Sequence, residues 1–451
     1  MCGIIFTNKN IKDLSYINFY NQKRGPDKTN LINYNNYSFI HNLLHITGEL
    51  TYQPFINDNI YCIFNGEIYN YDKEKYSSDG MCIIDFYKKY GDNFPSYLDG
   101  EFAICLVDFN CNKLIVSTDI FSTKPLFISI EKDNIGVSTY SSSLERLEFK
   151  DIIKIDANTT MVYELSSLKL TNKSSVYSFD LNQHKDNLDD VFTALENSIL
   201  KRCDKVGKKI FLGLSSGYDS GCINCVLNKF NIPHSVYSIE GCEDIPTLKL
   251  RHEKHPFDKN YIVNTKDSFK VFSKELKENC EQYKYNFTKP GHKSWYTTTD
   301  PASSGLAQIC SFAKKNNQHI YISGQGPDEI MSDYSNNGKS FFSNSTHTDF
   351  NGIFPEDLNT IFPWRNFFGN VQTDYLMKEE TVSGCYGIEG RYPYLDKMLV
   401  QEFLWLKSDL KNASYKHVLA EYMKQHNYPI FYDKKYGFRA NWDKETKKIF
   451  R

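Results

Sequence analysis

No apolar run in these 451 residues approaches the length needed to cross a bilayer. The opening Met1-Cys2-Gly3-Ile4-Ile5-Phe6 also lacks the basic stretch and long apolar segment of a secretion signal. The expectation is a soluble, cytoplasmic protein without a membrane partner. Charge of one sign is missing too. With 53 basic and 55 acidic residues the formal net charge is −2, so no global field favours nucleic acid. Tyr and Phe are plentiful, 32 of each, but no basic stripe accompanies them, so they are read as core filling rather than base stacking. A Walker loop is absent. The only Gly-Lys-Ser, Gly338 to Ser340, has Asp333 where the first glycine should stand. Twelve cysteines in a chain without an export signal read as reduced thiols. Cys222-Ile223-Asn224-Cys225 has no second pair at zinc spacing, so it reads as two thiols on one inward helical face. His252-x-x-His255 and His41-x-x-x-His45 read as ordinary polar residues.

What is there centres on Lys208-Lys209-Ile210-Phe211-Leu212-Gly213-Leu214-Ser215-Ser216-Gly217-Tyr218-Asp219-Ser220. An apolar run of strand length meets a Ser/Gly turn, and a helix-compatible segment follows. Strand, loop and helix in that order aim backbone N–H groups and the positive helix end at one spot, which suits an anion. Ser215 and Ser220 add hydroxyl donors, Gly217 lets backbone approach a ligand, and Asp219 is a hard oxygen ligand for Mg²⁺. His319-Ile320-Tyr321-Ile322 repeats the logic, ending in Ser323-Gly324-Gln325-Gly326-Pro327-Asp328-Glu329. Ligands of parallel sheets gather at C-terminal strand ends, so Asp219 and Asp328 are expected to face a common metal and phosphate chain.

The chain is long enough for two domains. Residues 2–6 read as a buried strand with Cys2 at its start. Once Met1 is removed, Cys2 carries a thiol and an α-amine of reference pKa about 7.7–8, a compact nucleophile and base. Arg24-Gly25-Pro26-Asp27 and Gln53-Pro54 are turns by composition. A strand at 60–64 runs into Asn65-Gly66, which usually signals a hairpin turn but also offers the donors of an oxyanion hole. Strands recur at 104–108, 114–118, 126–130 and 161–165. A polar stretch near 178–189 marks the domain boundary, placed at residue 182, giving domains 2–182 and 183–451. Beyond it come a helix at 188–201, strand 210–214, helix 221–229, strand 235–239, helices 268–281 and 303–315, and strand 318–322. That alternation predicts a doubly wound parallel sheet.

Together these segments resemble the glutamine-dependent asparagine synthetase family across nearly the whole chain. The first half is similar to a class II glutaminase: Cys2, Arg24 to Asp27, and Asn65-Gly66-Glu67-Ile68-Tyr69-Asn70, with Asp79 where the family places the acid that meets the glutamine amine. The second half resembles an ATP-pyrophosphatase through Ser215 to Ser220, Ser323 to Glu329, Gly387 to Asp396, Lys416-His417-Val418-Leu419 and Lys435-Tyr436-Gly437-Phe438. The resemblance implies an α/β protein. An N-terminal-nucleophile four-layer αββα sandwich is followed by a doubly wound ATP-pyrophosphatase domain.

It also implies that Cys2 attacks glutamine, with Asn65 and Gly66 on the oxyanion and Glu67 and Asp79 binding the amino acid. Leu214, Ser215, Gly217, Asp219, Ser220, Ser323 and Gly324 would hold ATP, Asp219 and Asp328 would reach pyrophosphate through Mg²⁺, and Lys416 would stabilise charge as ammonia displaces AMP from an acyl adenylate. Ammonia would travel through an internal tunnel. Glutamine, aspartate and ATP are the implied partners; oligomeric state stays open, with a homodimer among the options.

Three departures stand out. Leu43 occupies the position of the arginine that binds the glutamine carboxylate, which leaves that carboxylate unpaired. Gln325 replaces an acid and cannot take a proton. Ser216 replaces a glycine, which requires a negative φ. Besides asparagine synthesis, the readings carried forward are adenylation of another carboxylate, an ammonia-dependent enzyme with an impaired glutaminase, and a non-catalytic relative. Glu389 and Arg391 suit either a structural ion pair or substrate contact.

Overall fold

The computed structural model describes residues 2–46, 48–204, 206, 209–239, 243–262, 266–286, 296–336, 338–340 and 350–431. Lys208 and the Lys435-Tyr436-Gly437-Phe438 stretch lie outside them. Two compact units result: Met1–Ser178 with Gly384–Gly387, and Phe179–Ser383 with Ile388–Arg451. No helix among the described residues is long and apolar enough to cross a membrane.

The first unit holds strands β1 (Gly3–Thr7), β2 (Lys28–Tyr34), β3 (Tyr37–Leu43), β4 (Phe55–Asn57), β5 (Ile60–Ile68), β6 (Gly100–Asp108), β7 (Lys113–Thr118), β8 (Phe127–Glu131), β9 (Asn134–Ser138), β10 (Ile153–Lys154), β11 (Thr159–Glu164) and β12 (Leu170–Ser175). They form two antiparallel six-stranded sheets, ordered β10-β8-β9-β1-β3-β2 and β12-β11-β7-β6-β5-β4. Alternation decides what lies between them. Ile4 and Phe6 of β1, Phe39 of β3, Tyr61 and Ile63 of β5, and Cys105 and Val107 of β6 share one core. On the other face of the first sheet α2 (Asn21–Arg24) packs on β1 and β3, α4 (Ser141–Arg146) packs on β8 and β9, and α1 (Leu14–Ile17) lies against α4, while α3 (Cys82–Tyr90) covers β5. The result is four layers, helix, sheet, sheet, helix.

One local expectation is corrected here. Asn65-Gly66 makes no hairpin; both residues lie inside β5, which pairs with β6 over nine residues from Ile60↔Asp108 to Ile68↔Gly100. Gly66 is needed for close approach instead. Its φ is +144°, and a Cβ there would lie 1.8 Å from the Glu101 carbonyl oxygen.

The second unit contains α5 (Asp189–Lys201), β13 (Ile210–Gly213), α6 (Tyr218–Lys229), β14 (Ser235–Ile239), α7 (Ile245–Lys254), β15 (Lys259–Ile262), α8 (Lys266–Asn279), α9 (Pro301–Lys315) and β16 (Ile320–Ile322). A small hairpin of β17 (Ser335–Asn336) and β18 (Lys339–Ser340) follows, then α10 (Arg365–Phe368), α11 (Val371–Cys385), β19 (Glu389–Arg391), α12 (Lys397–Trp405), α13 (Ser408–Asn412) and α14 (His417–Gln425). Five strands run parallel in the order β15-β14-β13-β16-β19. Chain order therefore reverses direction between β13 and β16. Right-handed crossovers on either side of such a reversal put helices on opposite faces, and leave a crevice at the C-terminal ends of those two strands. α5, α6, α12 and α14 pack as one group, α8 and α9 as another.

A buried charge cluster ties α5 to α12. Asp396 caps α12 by accepting from the Met398 N–H at 3.0 Å, and it takes Arg202 NH1 at 2.9 Å and Lys201 Nζ at 2.5 Å. Burial alone would raise its carboxyl, but the two cations outweigh burial and bring it down to about 2. A depressed carboxylate stabilises the fold above its unfolded value of about 3.9. That contribution is lost as pH falls through about 2. Asp396→Asn is expected to cost about 3–5 kcal/mol at neutral pH by leaving Arg202 buried and unpaired. Urea melts at stepped pH should show the gap between wild type and variant closing between about pH 4 and the folded value of about 2.

Candidate functional sites

In the first unit the N-terminal residues are fixed from both sheets. The Cys2 N–H donates to Asn65 Oδ1 at 2.9 Å, and the Cys2 carbonyl accepts from Arg24 Nε at 3.0 Å. Arg24 is buried and its NH1 donates to the Tyr140 hydroxyl at 2.7 Å. Cys2 thus comes from β1's end and Asn65 from β5 of the facing sheet, so the spot forms only when the sandwich closes. Asn65 is fully buried, and its Nδ2 has no hydrogen-bond acceptor among the described residues. A buried, unpaired donor beside a thiol is what a transient oxyanion requires.

Asp79 opens a short helical turn and accepts the Ile68 N–H through Oδ2 at 2.8 Å, which anchors it at the end of β5. Glu67 is half-buried on the same strand. Leu43 is buried and lies opposite Lys28 in the β2–β3 register. His41, two residues before it, is fully buried with neither ring nitrogen partnered among the described residues. Burial pushes its imidazole down to about 3, so it is neutral.

In the second unit the two Ser/Gly loops leave β13 and β16, the strands that flank the reversal. The first is tightly self-bonded. Ser220 Oγ accepts from the Ser215 N–H at 3.0 Å and lies 2.9 Å from Ser215 Oγ, which in turn accepts the Gly217 N–H at 3.1 Å. Ser216 has no positive φ, so the substitution for glycine is accommodated, and its N–H donates to Glu243 at 2.6 Å. Arg251 donates through NH1 to the carbonyls of Ser215 at 2.6 Å and Gly217 at 2.7 Å, holding the loop from behind. Leu214 is buried. In the second loop, a Cβ on Gly324 would meet the Asp219 Cβ at 3.2 Å, which shows how closely the loops approach. Ser323 is buried and bonds Glu379.

The structure brings Asp219, Asp328 and Lys416 together. Lys416 Nζ lies 2.7 and 2.9 Å from the two Asp219 oxygens and 2.8 Å from Asp328 Oδ1, where the Tyr415 hydroxyl also donates at 3.1 Å. Burial would lower the Lys416 ammonium; the two carboxylates outweigh it and hold it above its ordinary value. Deeper in, burial raises Glu329 to about 7, helped by the Asp328 charge, and burial likewise raises Glu379 to about 7.

Among the described residues no group of three or more His, Cys, Asp or Glu is arranged to hold a metal. Asp219 and Asp328 nonetheless already share one cation, the Lys416 ammonium, through hard oxygens. That donor pair fits Mg²⁺ when phosphate and water supply the other ligands.

Other candidates resolve simply. Cys222 and Cys225 are buried in α6 with thiols raised by burial. Glu389 and Arg391 form an ion pair of 2.7 Å, each 2% exposed, with Arg391 NH1 donating to the Arg202 carbonyl. Sequence reasoning missed Arg251, Glu243 and Glu379, which sit far along the chain from the loops they brace and belong to no motif.

Residues 1–182 match the family model of a glutamine amidotransferase domain. The chain is 24% identical over 461 residues to the glutamine-hydrolysing asparagine synthetase of Bos taurus, covering 90% of this chain and 77% of that protein. It is 24% identical over 458 residues to that of Homo sapiens, with the same coverage. Among solved structures, glutamine phosphoribosylpyrophosphate amidotransferase from B. subtilis, complexed with ADP and GMP, aligns with a TM-score of 0.32 at 12% identity, over 73% of this chain and 82% of that one. A score that low adds nothing to the topology above.

The cation between the carboxylates makes a direct test. Lys416→Met should lose about 3 kcal/mol of stability by leaving two carboxylates facing each other. Added Mg²⁺ should then raise the melting temperature of the variant more than that of the wild type.

Proposed function

We infer that this member of the glutamine-hydrolysing asparagine synthetase family is a two-site amide ligase that hydrolyses glutamine at Cys2 and amidates aspartate in its second unit. The observation that carries the reading is the shared hold of Asp219 and Asp328, at the ends of adjacent parallel strands, on Lys416.

At the first site, removal of Met1 frees the Cys2 amine. Asn65 Oδ1, already 2.9 Å from that nitrogen, accepts a hydrogen bond from it and steers the lone pair toward the thiol. The thiolate attacks the glutamine amide carbon while Asn65 Nδ2 and the Gly66 N–H face the oxyanion. The proton gained by the amine passes to the departing ammonia, and water then releases glutamate from the thioester. Glu67 and Asp79 flank the amino-acid end.

At the second site, Ser215, Gly217, Ser220, Ser323 and Gly324 line the place for the phosphates of ATP, beside Leu214; the Ser215 and Gly217 N–H groups and the Ser215 and Ser220 hydroxyls would exchange their bonds within the loop for phosphate oxygens. Asp219 and Asp328 would hold Mg²⁺, which offsets phosphate charge. A carboxylate is a poor electrophile, so its oxygen displaces pyrophosphate from the α-phosphorus to give an acyl adenylate. Ammonia then attacks the acyl carbon and AMP leaves, with Lys416 balancing the negative charge. Cytoplasmic location and small-molecule substrates follow from this reading.

Gln325 favours a second reading, adenylation of a carboxylate other than aspartate, because an amide there cannot exchange protons with the acceptor. Product analysis decides between them. Pyrophosphate and asparagine are expected only when ATP, Mg²⁺ and aspartate are all present with glutamine or ammonium. A strong alternative acceptor with no asparagine formed decides for the second reading, and no pyrophosphate with any carboxylate returns the chain to a non-catalytic role.

Cys2→Ala should abolish glutamine-driven synthesis and spare ammonium-driven synthesis. Asn65→Ala should lower the turnover of glutamine hydrolysis about 10²–10³-fold.

A further inference from the structure

Glutamine is a zwitterion, so a site that grips it needs an acid for its amine and a cation for its carboxylate. Asp79 supplies the acid from the β5 side. The cation is not at position 43, where the side chain is an apolar, buried leucine. Arg24, beside the nucleophile, is buried and directed at the Cys2 carbonyl and the Tyr140 hydroxyl.

The strand register points one step further out. β1 and β3 pair Gly3 with Asn42, so continuing by one residue sets Cys2 opposite Leu43. β2 and β3 pair Leu43 with Lys28. Opposed residues of antiparallel strands project to the same face. The phase is fixed independently on each strand: Ile4 and Phe6, Phe39, and Ile32 and Tyr34 all pack into the core between the sheets. Cys2, Leu43 and Lys28 therefore form a row across three strands, on the face turned toward Asn65. Asn30, next in phase on β2, confirms the direction by donating to the Gln53 carbonyl beside the second sheet at 2.7 Å.

Lys28 is exposed at the start of an edge strand, and its ammonium pairs with no described residue. Two inter-strand steps put its Cα about 10 Å from that of Cys2. The attacked carbon of glutamine and its carboxylate carbon are four bonds apart, about 5 Å when extended, and a lysine side chain spans about 6 Å. The row has room for the whole amino acid, with Leu43 packed under its methylenes.

We propose that Lys28 binds the α-carboxylate of glutamine, so that the cation of the glutaminase site has moved from the central strand β3 to its edge neighbour β2. The proposal rests on the reading of Cys2 as the glutaminase nucleophile. It assigns the substrate grip to a row of side chains, Cys2, Leu43 and Lys28, rather than to one motif.

The experiment is ammonia release from glutamine and from glutaminamide, which lacks the carboxylate, in wild type, Lys28→Gln and Lys28→Arg. A parallel measurement follows the rate at which a diazoketone analogue of glutamine alkylates Cys2, read by intact mass. Expected are a rise in KM for glutamine of about tenfold or more in Lys28→Gln with kcat held, and a matching fall in the labelling rate. Substantial recovery is expected in Lys28→Arg, together with loss of the preference for glutamine over glutaminamide in Lys28→Gln. A merely structural role would move both substrates together. Hydrolysis that dies in Cys2→Ala but keeps its KM and labelling rate in Lys28→Gln overturns the Lys28 assignment and leaves the function standing. A wild type that neither hydrolyses glutamine nor takes the label overturns both.

Discussion

A single buried ammonium holds the second unit's site together. Asp219 rides on the first turn of α6 and Asp328 follows the loop after β16, and two half-buried carboxylates so placed repel each other. Lys416, only 1% exposed at its side chain, sits within 2.9 Å of both. It stands at the entrance to α14 in a left-handed conformation, φ 46°, which a lysine adopts only under constraint from its surroundings. Removing Lys416 leaves two carboxylates uncompensated, whereas removing either carboxylate leaves a one-to-one pair. The loops are therefore positioned by electrostatics as well as by the sheet beneath them.

The same logic of holding a reactive spot from outside recurs elsewhere in both units. The Ser215–Ser220 loop has its hydroxyls and N–H groups bonded inward, while Arg251 grips its carbonyls and Glu243 takes Ser216. Cys2 is clamped through its N–H by Asn65 and through its carbonyl by Arg24. In each case polar residues remote in sequence do the clamping, Arg24, Asn65 and Arg251 among them fully buried. Such preorganisation reduces what must be rearranged when a ligand arrives.

Much of this was legible in the chain itself. The apolar run Ile210–Gly213 and its Ser/Gly turn identified β13 and its loop, because a strand buried on both faces has few other spellings. Asp219 and Asp328 could be paired in advance, since parallel strands collect ligands at one end. Asn65-Gly66 carries two readings in the sequence, a hairpin turn and a pair of donors, and the turn does not form. Asn-Gly favours hairpins locally, but a nine-residue ladder with β6 overrides that preference and uses glycine for clearance instead. Glu379, Glu243 and Arg251 were invisible for a different reason. A brace is defined by what it reaches across the fold, and neither spacing nor composition encodes that reach. The register that sets Lys28 opposite Leu43 is likewise absent from any motif.

Position 66 lies inside the β5–β6 ladder and position 28 at the start of an edge strand, and they differ in how freely they can change. At 66 even a methyl group would collide with the neighbouring strand's backbone, so that glycine is welded to the core of the sandwich. Residue 28 hangs from the rim, where side chains can be exchanged without repacking anything. Such a layout leaves the strand edge open to change while the close approach at 66 stays frozen.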